Sequence, residues 1–341
     1  MTFTYVQTLR RSVILAVVLI SVSANTFGQV RIMQTNSRGD NVHIIDPATN
    51  EVVGEIKGIP IPHGIAAAPD GSRFYVSGEA DHTLDVVDGG TLQVTKSIPL
   101  SGRPNNISIG PDGRRVYVAI NAPPGPVDVI DTESLENVKT IPNDGGVHNV
   151  YVTPDGKHVL AGSISGRHLT VIDSETEEPV WKLFDQGVRP MAIEANPDGS
   201  TGRIFVQLSL FHGFVVVDFA QRKEVARIEL PSVPPEQQAE GTFNDAPAHG
   251  IGVAPDGKTL WVTSRLNSHV YAYALPGLEL LGGIEVGDDP DWVTFTPDSK
   301  TVYVANAISN DVSAIDVETL KEIARIPVGN SPKRNTTVEF R

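Results

Sequence analysis

A short turn motif recurs along this 341-residue chain and limits its possible folds more than any other feature. In each copy, a proline and an aspartate are followed by glycine or, once, serine. Such sequences favour tight hairpin turns, because proline presets φ, aspartate bonds its own backbone and glycine accepts a positive φ. An apolar run follows each turn. The turn prolines lie 42, 43, 43, 58 and 42 residues apart, at Pro69, Pro111, Pro154, Pro197, Pro255 and Pro297.

The stretch from Asp291 to Gly329 shows what one repeat contains. Apolar and polar residues alternate in four short runs separated by turn residues, which is typical of antiparallel strands. One four-stranded sheet buries little surface, so it needs copies of itself on both faces. A period of about 43 residues with four strands in each repeat predicts a β-propeller.

The two ends of the chain predict one further blade beyond the six turns. Residues 30–58 hold second, third and fourth strands without a first strand, and residues 332–340 hold a first strand with no turn after it. Joining them closes the ring and removes exposed sheet edges. We therefore predict an all-β fold with one domain over residues 29–341. It is a seven-bladed β-propeller of four-stranded antiparallel blades, closed by the C-terminal strand joining the N-terminal blade.

Residues 1–28 resemble a secretory signal peptide. Two arginines precede an apolar run at residues 13–22, and small residues follow it. The run is short for a membrane span, although an uncleaved anchor is an alternative. Cleavage after Ala24 or after Gly28 fits equally well. We expect a periplasmic or secreted protein with no membrane span after signal cleavage.

Composition excludes several classes of site and partner. The chain has no cysteine, which excludes disulfides, thiolate metal sites, a cysteine nucleophile and covalent c-type haem attachment. Its formal net charge is −14, and it has no basic run. We therefore expect no nucleic-acid partner and no binding to an anionic membrane surface. We expect the ring to be a monomer.

The apolar strand after each turn carries a recognisable motif. Tyr303-Val304-Ala305-Asn306, Tyr117-Val118-Ala119 and Tyr75-Val76-Ser77, with the Pro-Asp-Gly turns, resemble the YVTN family of β-propeller repeat proteins. The resemblance covers the whole mature chain. It also implies likeness to the broader group that contains the methylamine dehydrogenase heavy chain and the cytochrome d1 propeller. The motif is specific for architecture and carries no fixed catalytic residues, so function depends on the site.

One residue of each repeat is expected to ring the mouth of the central channel. In a propeller, the loops entering the innermost strands open on the same face as the loops between second and third strands. Most of the nine histidines fall in these loops. Aligning the repeats six residues before each turn proline, and adding the closing blade, selects His63, Asn105, His148, Met191, His249, Asp291 and Lys333.

Three histidines from alternate blades at this position suggest a metal site. Neutral imidazoles of His63, His148 and His249 can bind Zn, Cu or Fe and leave a position open for water or substrate. Asp291 would be a fourth ligand or a catalytic acid/base. Alternatively, the histidines cap backbone amides where inner strands crowd, or contact a polar ligand directly.

Other residues of the same face are candidates for ligand binding. Asn105 lies in the ring, and Arg103, Arg189, Lys333 and Arg334 can either hold an anionic group or pair with nearby aspartates. The loop insertion at residues 231–247 breaks the repeat period and precedes an innermost strand. Such a loop is either a lid or rim of the site or disordered, and Phe243 is its residue most suited to touch a ligand.

Two functions therefore stay open. The first is an extracytoplasmic binding protein that takes a small polar ligand, a metal or a protein partner at the histidine-rich loop face. The second is a metal-dependent enzyme at the same mouth, such as a lyase, a lactonase-like hydrolase or an oxidoreductase component.

Overall fold

A computed structural model describes residues 29–239 and 245–340, together with residue 1. It contains seven four-stranded antiparallel sheets, which confirms the predicted seven-bladed β-propeller. The predicted signal peptide, except for residue 1, lies outside the described residues, and so does Phe243. Within the described residues, no helix is long and apolar enough to cross a membrane.

The strands are numbered in chain order. Those before residue 184 are β1 (Gln29–Asn36), β2 (Asn41–Asp46), β3 (Glu51–Lys57), β4 (Pro62–Ala67), β5 (Arg73–Gly78), β6 (Thr83–Asp88), β7 (Val94–Pro99), β8 (Pro104–Ile109), β9 (Arg115–Ile120), β10 (Val127–Asp131), β11 (Glu136–Ile141), β12 (Val147–Val152), β13 (His158–Ser163), β14 (His168–Asp173) and β15 (Glu178–Leu183). Those after it are β16 (Val188–Ala195), β17 (Thr201–Leu208), β18 (Gly213–Asp218), β19 (Lys223–Glu229), β20 (Ala248–Val253), β21 (Thr259–Ser264), β22 (His269–Ala274), β23 (Glu279–Glu285), β24 (Pro290–Phe295), β25 (Thr301–Asn306), β26 (Asp311–Asp316), β27 (Lys321–Pro327) and β28 (Pro332–Phe340).

The ring closes through the two ends of the chain, as predicted. The sheet order of the closing blade is β28-β1-β2-β3. The C-terminal strand β28 pairs antiparallel with β1, from Gln29 opposite Phe340 to Asn36 opposite Pro332. This pairing gives the N-terminal blade its innermost strand. The two ends of the ring are therefore joined by backbone hydrogen bonds as well as by side-chain packing.

Burial differs with the position of a strand in its blade. The second and third strands are apolar runs buried almost throughout, because neighbouring blades cover both faces of each sheet. The outermost strands are largely exposed, and only their last apolar residue is buried in blades such as that of β23. Buried apolar side chains from adjacent blades form clusters, such as the one that joins Phe205 and Phe214 to Tyr273. The core is thus divided among the blade interfaces, as expected for a ring of repeats.

The loop insertion runs between β19 and β20. It contains a short 3-10 helix, Pro235–Gln237, within the described residues. The backbone N–H of Ala239 donates to the carbonyl of Leu266 in the next blade. At the other end of the insertion, the carbonyl of Asp245 accepts a hydrogen bond from Leu210. Both described ends therefore lie against second-to-third-strand loops, on the face of the channel mouth.

Candidate functional site

A cavity of about 990 Å³ opens at the mouth of the channel on the loop face. Its lining comes from the loops that enter innermost strands and from the loops between second and third strands. Most lining side chains are polar or charged. They include His63, Glu79, Arg103, Asn105, Asp245, Arg265, Asp289 and Lys333.

The pairing register of the innermost strand decides which residue of each blade lies at the mouth of the channel. In all seven blades this residue is the second of the innermost strand, as at His63, because the strand's first residue pairs with the last residue of the second strand. The hairpin of β16 and β17 is longer, and Val188 pairs with Leu208 there. Arg189, the second residue of β16, is therefore the residue of this blade that lies at the channel mouth. The placement of Met191 was wrong, since Met191 packs in the core at 1% exposure.

Close approach of the inner strands explains the glycines that follow two of the histidines. A Cβ on Gly64 would lie 2.7 Å from the carbonyl oxygen of Asn105, and one on Gly250 would lie 2.9 Å from the Cα of Trp292. Both neighbours are backbone atoms that cannot give way easily. Only glycine fits there, so these two residues have a packing reason that does not depend on any ligand.

His63 belongs to a charged cluster with Glu79 and Arg103. Its Nδ1 lies 2.5 Å from Oε1 of Glu79, and Nε of Arg103 donates to the other carboxylate oxygen at 2.9 Å. Burial by itself would raise the pKa of Glu79, but the bond from His63 and the charge of Arg103 outweigh it and lower that pKa to about 2. Burial lowers the pKa of His63, and the hydrogen bond and charge of Glu79 oppose this shift. The cluster is a neutral imidazole that donates to an ionised carboxylate.

His249 lies against Asp291 on another side of the channel. Its Nδ1–H donates to the backbone carbonyl of Asp291 at 2.8 Å, and the carboxylate is 3.5 Å away. Nζ of Lys333 donates to Oδ1 of Asp291 at 3.2 Å. Burial would raise the pKa of Asp291, but His249 and Lys333 hold it well below its usual range. Burial lowers the pKa of His249 to about 3, with Asp291 opposing it. Asp291 is therefore an ionised partner of Lys333.

His148 and His249 come together, and their ring centroids are 6.0 Å apart in an edge-to-face arrangement. Nδ1 of His148 bonds the side-chain oxygen of Asn149. Burial and the charge of Arg334 hold the pKa of His148 well below its usual value. Both imidazoles are thus neutral and bonded through Nδ1.

The structure brings together two of the three predicted metal ligands, while His63 bonds Glu79. Within the described residues, no group of three or more His, Cys, Asp or Glu side chains is arranged to hold a metal ion. The neutral imidazoles of His148 and His249 suit a transition metal chemically. The metal site and the acid/base role of Asp291 stay predictions.

The predicted basic residues lie at the mouth, and each has a partner there. Arg189 is buried, and its Nη2 donates to the exposed Asp245 of the insertion at 2.8 Å. Arg265 bonds both carboxylate oxygens of Asp289. The sequence did not single out Glu79 and Asp245 as residues of the cavity. Their only signal was position, since Glu79 directly follows β5 and Asp245 lies three residues before β20.

Arg334 lies deepest among the arginines of the mouth, at 2% exposure. Its Nη2 donates to Oδ1 of Asn105 at 3.3 Å. Its guanidinium carbon lies 3.5 Å from the ring centroid of Trp292, which is a cation–π contact. Trp292 was not among the predicted residues. No described residue accepts a hydrogen bond from Nε or Nη1 of Arg334.

Comparison with known proteins supports the fold and leaves the family open. No protein-family model matches the chain, and no curated protein matches its sequence. Among solved structures, hydrazine synthase of Kuenenia stuttgartiensis is 25% identical with a TM-score of 0.70, covering 84% of this chain and 92% of that one. Periplasmic gluconolactonase PpgL of Pseudomonas aeruginosa is 20% identical with a TM-score of 0.74, covering 92% and 100%. Dihydro-haem d1 dehydrogenase NirN is 18% identical with a TM-score of 0.65, covering 87% and 63%.

Proposed function

We propose that this protein is an extracytoplasmic binding protein that takes a small polar ligand in the cavity at the channel mouth. The observation that carries the proposal is the cavity of about 990 Å³ with charged groups of both signs converging on it. Small-molecule sites are concave, and fixed polar groups in them set the orientation and specificity of the ligand. The signal-like N-terminus and the periplasmic neighbour support export. The Tyr303-Val304-Ala305-Asn306 motif and its Tyr-Val counterparts in other repeats support a YVTN-type propeller.

The test is a binding screen with matched variants on the two faces of the ring. Sugars, sugar acids and amino acids are screened against the mature protein by thermal shift, and each hit is titrated by calorimetry. The His63→Gln/Arg103→Gln double variant changes the cavity. Arg73→Gln changes an arginine on the opposite face, where Arg73 lines a turn-side pocket. We expect at least a tenfold loss of affinity in the double variant and no loss in Arg73→Gln. Equal affinity in all three proteins would refute the proposal.

A second function is favoured by the His63–Glu79 pair. A histidine that donates from Nδ1 to a carboxylate keeps Nε2 available to take a proton, as a general base does. The pair lines the cavity, and a gluconolactonase is among the structural neighbours. An enzyme at this mouth would use His63 to remove a proton from water as the water attacks a lactone carbonyl.

Hydrolysis of glucono-δ-lactone tests this second function. The rate above the uncatalysed reaction should be lost in His63→Gln and reduced at least tenfold in Glu79→Gln, while Arg73→Gln keeps it. No rate above background, or a rate unchanged in His63→Gln, would leave the binding function alone. Elemental analysis of the same preparations tests the predicted Zn, Cu or Fe. A metal lost in a His148→Ala/His249→Ala variant that still folds would support the metal site, and absence of metal after soaking would oppose it.

A further inference from the structure

Four basic residues around the mouth pair with carboxylates, whereas the buried Arg334 at its centre does not within the described part of the chain. Arg103 pairs with Glu79, Arg189 with Asp245, Arg265 with Asp289, and Lys333 with Asp291. Arg334 is buried, and no described carboxylate lies within ion-pair distance of it. Burial lowers the pKa of Arg334, but a guanidinium stays protonated in proteins. The channel therefore holds one buried positive charge more than its paired carboxylates neutralise.

An uncompensated buried charge is costly, so its presence needs a reason. Transfer of an ion from water to a protein interior costs several kcal/mol, roughly, unless a partner repays it. The cation–π contact with Trp292 and the hydrogen bond to Asn105 offset only part of the desolvation free energy of Arg334. Asp291 and Glu79 act on it electrostatically from a distance, but both already bond other groups. Nε and Nη1 are left as buried donors without an acceptor among the described residues.

The position of Arg334 in the repeat makes it an exception. Strand register places it at the third residue of an innermost strand, where five of the other blades carry glycine, proline or asparagine and the sixth carries tryptophan. The equivalent residues are Gly64, Asn106, Asn149, Pro190, Gly250 and Trp292. The other six blades pack without an arginine at this position. The packing of a blade therefore does not require a guanidinium there.

We propose that Arg334 is the anion subsite of the mouth and binds the carboxylate of a small organic acid, whose polar body lies in the cavity. This rests on the proposed function, since it names the class of that ligand. Asn105 lines the cavity and also accepts from Arg334, so it lies between the cavity and the guanidinium. A carboxylate that displaces the amide oxygen of Asn105 gains charge-assisted hydrogen bonds to Arg334.

Geometry favours a carboxylate over a tetrahedral anion. Trp292 covers one face of the guanidinium at 3.5 Å, and the edges carry the free donors. A planar carboxylate lies in the plane of a guanidinium and meets its edge through parallel hydrogen bonds. Phosphate can also meet a guanidinium edge through two oxygens, but its other oxygens lie above and below that plane, and one of them is then on the side that the indole ring covers. Lys333, next in sequence, lines the cavity and can attract the same anion.

The experiment compares glycerate with glycerol, which differ by a carboxylate in place of a hydroxymethyl group. Binding to the mature protein is followed by calorimetry and by tryptophan fluorescence, since Trp292 stacks on the site. We expect glycerate to bind at least tenfold more tightly than glycerol, and inorganic phosphate to bind more weakly than glycerate. Arg334→Lys should weaken glycerate binding at least tenfold, because an ammonium lacks the guanidinium edge. Trp292→Phe should lose the fluorescence change and weaken glycerate binding less than Arg334→Lys does.

Asn105→Asp keeps the proposal testable if Arg334 variants fail to fold. The new carboxylate would neutralise Arg334 within the protein, so glycerate affinity should fall at least tenfold while the melting temperature rises. Unchanged glycerate binding in Asn105→Asp or in folded Arg334→Lys would overturn the subsite. Phosphate binding as tightly as glycerate would overturn the choice of carboxylate. A neutral ligand whose binding depends on His63 and Arg103 but not on Arg334 would overturn the subsite and leave the proposed function standing. No binding of any compound would refute both.

Discussion

Aspartates on the two faces of the propeller have different structural roles, local on the turn face and long-range at the channel mouth. In each of the six Pro-Asp turns, the aspartate accepts a hydrogen bond from the backbone N–H two residues later: at Asp70, Asp112, Asp155, Asp198, Asp256 and Asp298. At the mouth, Asp291 binds Lys333 42 residues along the chain, and Asp245 binds Arg189 56 residues away. The turn aspartates shape local backbone, whereas the mouth aspartates compensate buried charge. The comparison predicts that their loss has unequal cost.

The largest effect is expected at Asp291. Asp291→Asn removes the negative charge at a residue that is 1% exposed and leaves Lys333 without its partner. We expect a loss of about 3 kcal/mol in the free energy of unfolding. Asp155→Asn is the matched control on the turn face, where an amide oxygen can accept the same local bond, and we expect a change below about 1 kcal/mol. Urea unfolding at neutral pH measures both, and equal losses would break the comparison.

Acid should destabilise the loop face through a half-buried neutral histidine, His212. Burial lowers the pKa of His212 to about 4 from an ordinary value of 6.5, and its Nε2 bonds the hydroxyl of Ser264. The unfolded chain therefore binds the proton first. Stability from this group is full above about pH 6.5 and falls as the pH decreases toward 4. For this partly exposed group we expect a loss of about 2 kcal/mol over that range.

The measurement is the free energy of unfolding as a function of pH for the wild type and His212→Asn. The variant should lose less stability between pH 6.5 and 4 than the wild type does. Identical pH profiles would show that His212 titrates alike in the folded and unfolded chain.

Close packing at the mouth predicts a smaller effect at Gly250. Gly250→Ala places a Cβ 2.9 Å from the Cα of Trp292 and 3.0 Å from the carbonyl oxygen of Asp291. The inner strands must separate, so we expect a loss of about 1–2 kcal/mol. Gly39→Ala is the control, since its Cβ would come no closer than 3.4 Å to any neighbour. Thermal unfolding of both variants tests this, and a Gly39→Ala loss as large as that of Gly250→Ala would count against it.

The smallest effect is expected for the pair of Arg103 and Glu79 at the rim of the cavity, in which only the arginine is exposed. The side chain of Arg103 is 57% exposed, although its partner Glu79 is 4% exposed. Arg103→Gln should cost less than about 1 kcal/mol, because solvent screens the arginine. Glu79 keeps its bond to His63 in the variant. Denaturant unfolding at low and high salt measures the cost, and a loss equal to that of Asp291→Asn would show that burial does not rank these ion pairs.

Much of the architecture could be predicted because its signals are local and repeated. The Pro-Asp turns and the apolar runs located the strands, and the incomplete units at residues 30–58 and 332–340 predicted the blade that β28 closes. The error at Met191 has a structural cause. The hairpin of β16 and β17 is longer than the others, so counting back from the turn proline ends in the core, and Arg189 lies at the channel mouth.

The candidate site could be predicted only in part. The sequence alignment identified His63, His148 and His249, but it could not reveal that His63 bonds Glu79 while the other two imidazoles meet each other. Nor could it distinguish Arg334, which lacks a carboxylate partner, from arginines that have one. His63 and Glu79 belong to one blade, whereas His148 and His249 come from different blades, and no local sequence pattern records either contact.

The sequence alone determined the repeat, the number of blades and the face on which the polar loops gather. Turn preference and apolar alternation act within a few residues, so they can be read along the chain. Tertiary structure alone decided which charges pair, which imidazoles stay neutral and which guanidinium is left with unused donors. Those properties depend on distances and burial across the channel, and both are set by ring closure.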